Sequence, residues 1–222
     1  MSGTPGSPMS VYYFSSLVLS NGLLLFAAVY SVYVFAHVRQ TNNLQWFVAF
    51  LFGLLCIECL NKCFIYLLEW QDTSFTYPVY VFLEFFCLSQ WIALNLGFSK
   101  RWRLAATLGG FLLFIEAVKK WSSGALFSPW FSKIILHLLV ITGMATVLLK
   151  YIREENMLSP VLLLYGVVIL YYTTSLFLFL LLDQLTEVSV RISYLIWGLN
   201  NTFSAILYGS SIYVFYRLKR LR

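Results

Sequence analysis

Residues 44–68 read LQWFVAFLFGLLCIECLNKCFIYLL, an apolar run interrupted by only two charged side chains, Glu58 and Lys62. A run of this length exceeds the roughly 20 helical residues needed to cross a hydrocarbon core of ~30 Å. Six more runs of similar character occur along the chain, so we predict an all-α integral membrane protein, a bundle of seven transmembrane helices. The predicted crossings are Val11–Ala36, Leu44–Leu68, Phe75–Leu96, Trp102–Val118, Phe127–Leu149, Pro160–Leu182 and Ile192–Tyr216.

The composition excludes a soluble domain. The chain has 222 residues, of which 60% are hydrophobic, 19% aromatic and 11% charged. An average soluble domain carries roughly 25% charged residues. The net charge of +6 comes from basic residues at the ends of the apolar runs. That placement is typical of membrane topology signals. We therefore expect a lipid bilayer around the protein and no nucleic-acid partner.

The distribution of lysine and arginine predicts the orientation, because these residues are enriched on the cytoplasmic side. The ends that share a side with the C-terminus hold ten: Arg39, Lys100, Arg101, Arg103, Lys150, Arg153, Arg217, Lys219, Arg220 and Arg222. The opposite ends hold four: Lys119, Lys120, Lys133 and Arg191. We predict a multi-pass plasma membrane protein (inner membrane in a Gram-negative bacterium). Residues 1–10 form a short extracytoplasmic segment, 11–216 the seven-helix domain and 217–222 a basic cytoplasmic tail.

The stretch CIECLNKC at 56–63 would suggest a zinc knuckle or a redox pair in a soluble chain. On a helix, its three cysteines fall on one side and Glu58, Asn61 and Lys62 on the other. A zinc site needs four converging ligands. We therefore interpret the cysteines as small residues for close helix contact, and predict no metal. Glu58 and Lys62 are four residues apart and can pair directly, or Lys62 can snorkel to the interface.

Polar residues on the other helices favour a shared cavity over isolated pairs. At 1.5 Å per residue, Glu84, His137 and Asn201 lie ~14–16 Å below the outer ends of their helices, and Glu58, Glu116 and Tyr172 lie ~20 Å up theirs. The inner half is plainer, with Tyr208 and Ser211 as its main polar residues. The predicted ligand-binding cavity opens outward and is lined by Glu58, Lys62, Tyr80, Glu84, Trp91, His137, Tyr172, Trp197 and Asn201.

Three functions are compatible with such a cavity. The first is a sensor or receptor-like module that binds a small molecule, a lipid headgroup or a proton and signals through a membrane or cytoplasmic partner. The second is a small-solute or proton-coupled transporter with Glu58, Glu84 and His137 as carriers. The third is an intramembrane enzyme, which the sequence favours least because no H-E-x-x-H or G-x-S-x-G occurs. We assign no catalytic residue and no cofactor; a homo-oligomer is compatible with the sequence.

The layout resembles that of rhodopsins and G-protein-coupled receptors, but their motifs are missing. Residues 192–216 contain no lysine for retinal, 95–103 read NLGFSKRWR without the acidic-arginine-aromatic triplet, and 207–216 read LYGSSIYVFY without N-P-x-x-Y. The segment FTYPVYVFLEFFCLSQW at 75–91 is similar in style to small uncharacterised seven-helix bacterial membrane proteins, some encoded beside two-component sensors. That resemblance implies a sensory association and brings no functional residues with it.

Overall fold

The computed structural model describes residues 8–37, 44–69, 73–123, 131–154, 160–184 and 190–220, without the side chains of 131–133, 182–184 and 190–191. A short 3-10 turn, Ser74–Thr76, precedes the third helix. The α-helices of the described residues are α1 (Pro8–His37), α2 (Gln45–Leu67), α3 (Tyr77–Leu96), α4 (Lys100–Ser122), α5 (Phe131–Arg153), α6 (Val161–Gln184) and α7 (Val190–Arg220). Each coincides with one of the seven predicted segments.

Five of these helices are long and apolar enough to cross a membrane: α1, α2, α3 with its preceding turn, α5 and α6. The prediction of a polytopic α-helical membrane protein is confirmed at this level. The other two helices are more polar, since α4 begins with KRWR and ends near two lysines, and α7 contains Asn200 and Asn201. Seven crossings and the orientation of the bundle stay predictions.

The helices pack as a ring with one helix outside it. The contacts follow the order α1, α2, α3, α5, α6, α7 and back to α1, while α4 packs mainly on the outer side of α3. The buried residues of α4 are Gly110 and Ala117. Helix α4 therefore does not face the interior of the ring, and its Glu116 does not join the polar layer that the sequence predicted.

Helices α1 and α7 approach closely and run in the same direction. The Tyr12 ring lies against Gly198, where a Cβ atom would come within 2.5 Å of it. The Tyr12 hydroxyl also hydrogen-bonds to the Thr202 hydroxyl at 2.8 Å. Near the other end of the pair, Lys219 Nζ lies 4.9 Å from the centre of the Tyr33 ring. These contacts bring both helices beside the cavity described below.

The three cysteines of α2 are exposed on the outer surface of the described bundle, so the predicted role in close helix contact is wrong. The two-sided character of α2 is confirmed, because Leu54, Ile57, Glu58 and Asn61 face inward. At 100° per residue, the cysteines lie roughly opposite the centre of that inner face. They therefore lie where lipid would surround α2.

The end of the bundle where α3 finishes is more polar than the sequence predicted. Asn95 Oδ1 accepts hydrogen bonds from the hydroxyls of Tyr165 at 2.9 Å and Tyr151 at 3.3 Å. Lys150 Nζ donates to the Asn95 carbonyl at 2.9 Å. Helix α3 then ends at Gly97, whose φ of 73° suits a residue without a Cβ atom. This network ties α3 to α5 and α6.

Candidate functional site

A cavity of about 390 Å³ lies inside the ring of helices. Helices α1, α2, α3, α5, α6 and α7 all contribute side chains to it, and α4 contributes none in the described part of the chain. The cavity extends to the connection between α2 and α3, where Thr73, Ser74 and Thr76 form its rim. Thr76 Oγ1 donates to Asn61 Oδ1 at 2.9 Å, which fixes that rim to the end of α2.

Glu84 on α3 is the most buried carboxylate of this cavity, with 2% of its surface exposed. The Tyr172 hydroxyl on α6 donates to its Oε1 at 2.6 Å, and the Tyr80 hydroxyl donates to the same atom at 3.3 Å. A carboxylate at bilayer depth costs several kcal/mol unless it has such partners. Both phenols therefore stabilise the Glu84 carboxylate, and the bond from Tyr172 joins α6 to α3.

His137 brings α5 into the same cluster. Its side chain is 1% exposed, and its Nε2 lies 3.2 Å from the Ser175 hydroxyl of α6. The His137 ring also meets the Tyr172 ring edge-on, with the centroids 5.4 Å apart. One phenol therefore contacts both titratable groups, since Tyr172 donates to Glu84 on one side and packs on His137 on the other.

Glu58 on α2 is a second carboxylate facing the cavity, in a half-buried position. Within the described residues its carboxylate makes no hydrogen bond or ion pair. Tyr208 on α7 lies close enough to Glu58 and Glu84 to interact electrostatically with both. Lys62 does not line the cavity, because at 100° per residue it is rotated by ~90° from the centre of the inner face of α2. The structure shows no Glu58–Lys62 ion pair.

Helix α7 supplies a wall of mixed polarity. Trp197 lines the cavity while 42% of its surface stays exposed. Asn201 lies one turn further along, and its side-chain Nδ2 is buried without a hydrogen-bond partner among the described residues. Ser204 follows, with its hydroxyl bonded to the Asn200 carbonyl at 3.0 Å. The ring of Trp197 and the amide donor of Asn201 could therefore both contact a molecule bound in the cavity.

Six of the nine predicted cavity residues line this cavity: Glu58, Tyr80, Glu84, His137, Trp197 and Asn201. Tyr172 lies directly behind them and acts through its bond to Glu84. Lys62 and Trp91 lie elsewhere. Trp91 is two helical turns beyond Glu84 on α3 and packs in the core, with ring centroids 4.8 Å from Phe47 and 5.2 Å from Tyr165.

The sequence prediction omitted the contribution of α1. Ser20 and Asn21 of this helix line the cavity. A signal was present, since Asn21 is the one amide in residues 11–36, whose other polar side chains are serine and tyrosine hydroxyls. Tyr171 and Ser175 of α6 and Tyr208 of α7 also line the cavity, so Tyr208 belongs to this polar cluster and not to a separate inner layer.

The lining has a consistent chemical character. Its charged groups are two carboxylates, and no lysine or arginine occurs among the described lining residues. The aromatic side chains Tyr77, Tyr80, Tyr171, Phe179, Trp197 and Tyr208 surround them. No group of three or more His, Cys, Asp and Glu side chains in the described residues is placed to hold a metal ion. The cavity offers hydrogen-bond acceptors and aromatic faces.

A second cavity, of about 540 Å³, lies between α3, α4 and α5. Most of its lining is apolar, with Ile92, Trp102 and Leu139 as examples, and it contains no charged residue in the described part. It opens where α4 diverges from α5, on the outer surface that lipid would cover. Its chemistry is that of the surrounding hydrocarbon, so it is a weaker candidate site.

No protein-family model matches this chain, and neither the curated proteins nor the solved structures include a significant match to it.

Proposed function

We propose that the chain is a sensor or receptor-like membrane module that binds a small ligand in the cavity between its helices. The observation that carries the proposal is the convergence of Glu58, Glu84 and His137 on one cavity that reaches one end of the bundle. Buried ionisable residues in membrane helices are costly, and their usual justification is functional. A lipid headgroup or a proton would suit the same groups.

The proposed topology places the cavity on the outer side of a plasma membrane. The rim at Thr73–Thr76 lies at the end where α1 begins, which is the outer end in a bundle of seven crossings with an external N-terminus. The basic residues Lys100, Arg101, Lys150 and Arg153 lie at the other end, as expected for the cytoplasmic side. A ligand would therefore enter from outside.

Signal transfer follows from the helices that the cluster connects. Glu84 of α3, His137 of α5 and Tyr172 of α6 meet through one hydrogen bond and one ring contact. A ligand that competes for the Glu84 carboxylate or displaces Tyr172 changes the packing between α3, α5 and α6. Those helices also share the Asn95 network, which links the cavity to the opposite end of the bundle.

A small-solute or proton-coupled transporter is the alternative function, and an intramembrane enzyme is the third. Two carboxylates and a histidine in one chamber are the groups that proton-coupled carriers use. The cavity of this conformation reaches one end of the bundle, and Trp91 packs with Phe47 and Tyr165 beyond Glu84. A carrier would have to open that packing, whereas a receptor would not.

The test combines binding with flux. The purified chain in lipid nanodiscs is screened against a panel of small water-soluble cations, anions and neutral compounds, and thermal stabilisation is measured. We expect at least one compound to stabilise the parent chain and to lose its effect in His137→Ala. If the panel stabilises parent and variant alike, the cavity is not the binding site. Concentration-driven uptake of a stabilising compound into proteoliposomes would favour the transporter.

A further inference from the structure

We infer that the ligand of this cavity is a small organic cation, a protonated or quaternary amine, whose charged head binds beside Glu58 under the Trp197 ring. This inference rests on the proposed function, because it specifies the chemical class that the same cavity accepts. Three observations support it: the charged groups of the lining are carboxylates, the Glu58 carboxylate has no hydrogen bond or ion pair within the described residues, and aromatic side chains line the walls.

The charge of the lining selects against anions. Glu58 and Glu84 both face the cavity, and no lysine or arginine of the described lining balances them. Inside a membrane protein the interaction of like charges is screened far less than in water. An anionic ligand would meet two carboxylates and no lysine or arginine of the described lining, whereas a cation would gain from both carboxylates.

The two carboxylates differ in what they offer. Glu84 accepts hydrogen bonds from Tyr172 and Tyr80, so its Oε1 is already engaged. The half-buried Glu58 carboxylate has no hydrogen bond or ion pair within the described residues. A carboxylate that lies at bilayer depth without a protein partner is stabilised by an external cation. Glu58 is therefore the direct counter-ion, and Glu84 contributes at longer range.

The walls suit a cation that carries carbon groups. Trp197 lines the cavity on α7 with 42% of its surface exposed, and Tyr77 and Tyr171 line it from α3 and α6. Aromatic faces attract ammonium groups, and tryptophan does so most strongly. A bare metal ion would need several oxygen ligands in a shell. A quaternary or alkylated ammonium instead matches one carboxylate with aromatic sides.

The cavity also has the capacity for such a molecule. Its volume of about 390 Å³ falls in the range of small-molecule pockets. One helical turn from Trp197 on α7, the buried Asn201 Nδ2 has no partner among the described residues. A hydroxyl or carbonyl oxygen on the tail of the cation would accept a hydrogen bond from that amide. An amine with one polar oxygen is thus the best match.

The experiment uses the full chain in nanodiscs, with choline, tetramethylammonium and tetraethylammonium as cations and 3,3-dimethylbutan-1-ol as the uncharged isostere of choline. We expect saturable thermal stabilisation by choline and none by the isostere. Glu58→Gln should raise the half-saturating concentration of choline at least tenfold, as the loss of one charged contact predicts. Glu116→Gln is the matched control, because Glu116 is also half-buried in a helix but lies outside the cavity.

A second pair of variants tests the aromatic wall. Trp197→Leu should weaken choline binding about fivefold or more. Trp102→Leu changes an exposed tryptophan of α4 and should leave choline binding unchanged.

Equal stabilisation by choline and its isostere, or equal effects of Glu58→Gln and Glu116→Gln, would overturn the cation assignment. Failure of all three cations to bind would overturn it too. In each case the proposed function survives if a neutral or anionic compound of the panel binds in a His137-dependent way.

Discussion

Replacement of Tyr172 by phenylalanine isolates the hydrogen bond at the centre of the cavity wall. The change removes one hydroxyl and keeps a ring that is 0% exposed and packs on His137. The lost bond to Glu84 measures 2.6 Å, a length typical of O–H donors on carboxylates. Hydrogen bonds between membrane helices average ~0.6 kcal/mol and reach ~1.7. Bonds to charged groups contribute ~1.5–3 kcal/mol, so we expect a loss of about 1.5–2 kcal/mol.

The assay is equilibrium unfolding in mixed micelles, read as the free energy of unfolding, with two matched controls. Tyr80→Phe removes the longer 3.3 Å bond to the same Glu84 oxygen, a bond within α3, and should cost about 0.5 kcal/mol. Tyr213→Phe removes a hydroxyl from a tyrosine that is 50% exposed on α7 and should cost nothing measurable.

A double-mutant cycle assigns the effect to the pair. In the Glu84→Gln background the acceptor has lost its charge, so Tyr172→Phe should cost about 1 kcal/mol less than in the parent chain. A stabilising Tyr172–Glu84 bond is excluded if Tyr172→Phe and Tyr213→Phe lower the free energy of unfolding equally, or if the cost of Tyr172→Phe is the same with and without Glu84.

Two further changes test the packing that holds the cavity in place. Gly198→Leu forces a side chain into the Tyr12 ring and should lower the free energy of unfolding by about 1–3 kcal/mol; Gly166→Leu, where nothing lies within 4 Å, is the control and should change it little. Asn95→Ala removes the acceptor of the Tyr165 and Tyr151 hydroxyls and should cost about 1–2 kcal/mol in the same assay. Because this network joins the cavity helices to the opposite end of the bundle, the same change should also alter the half-saturating concentration of choline; an unchanged concentration would contradict the proposed signal path.

The helices could be predicted from the sequence because a helix that crosses a bilayer needs about 20 consecutive, mostly apolar residues, and such runs are visible in one sequence. The run at 44–68 gave α2 to within a residue at each end, Gln45–Leu67. The inward direction of Glu58 followed from the cost of a carboxylate that faces lipid. For α4 and α7 the same reasoning gave helices, but their hydropathy does not decide whether they cross.

The arrangement of the helices could not be read from the sequence. Depth placed Glu116 and Glu84 in one layer, yet α4 lies outside the ring, so Glu116 does not reach the cavity. Trp91 shares a stripe with Glu84 on α3, but its position two turns deeper puts it in the core. Periodicity fixes the direction of a side chain relative to its own helix, and the neighbours of that helix decide what it meets.

The cysteines of α2 are a second case in which the sequence does not reveal the neighbours of a helix face. Their common face was predictable, but the sequence could not say whether another helix covers it. The contribution of Ser20 and Asn21 was missed because α1 also carries serines that do not line the cavity, namely Ser10, Ser15, Ser16 and Ser31. Only the packing of α1 beside α2 and α7 turns them toward the cavity.

Reagent access to the cavity wall shows whether the space between the helices is an aqueous chamber. Asn200 lines the cavity on α7, and Ile206 of the same helix is 43% exposed on the outer surface. Each is changed to cysteine in a chain whose four native cysteines are replaced by alanine, and intact cells are treated with a membrane-impermeant thiosulfonate. We expect rapid modification of Asn200→Cys, slowed by choline, and none of Ile206→Cys. Equal rates at the two positions, or modification of Asn200→Cys only from the cytoplasmic side, would contradict an aqueous chamber reached from outside.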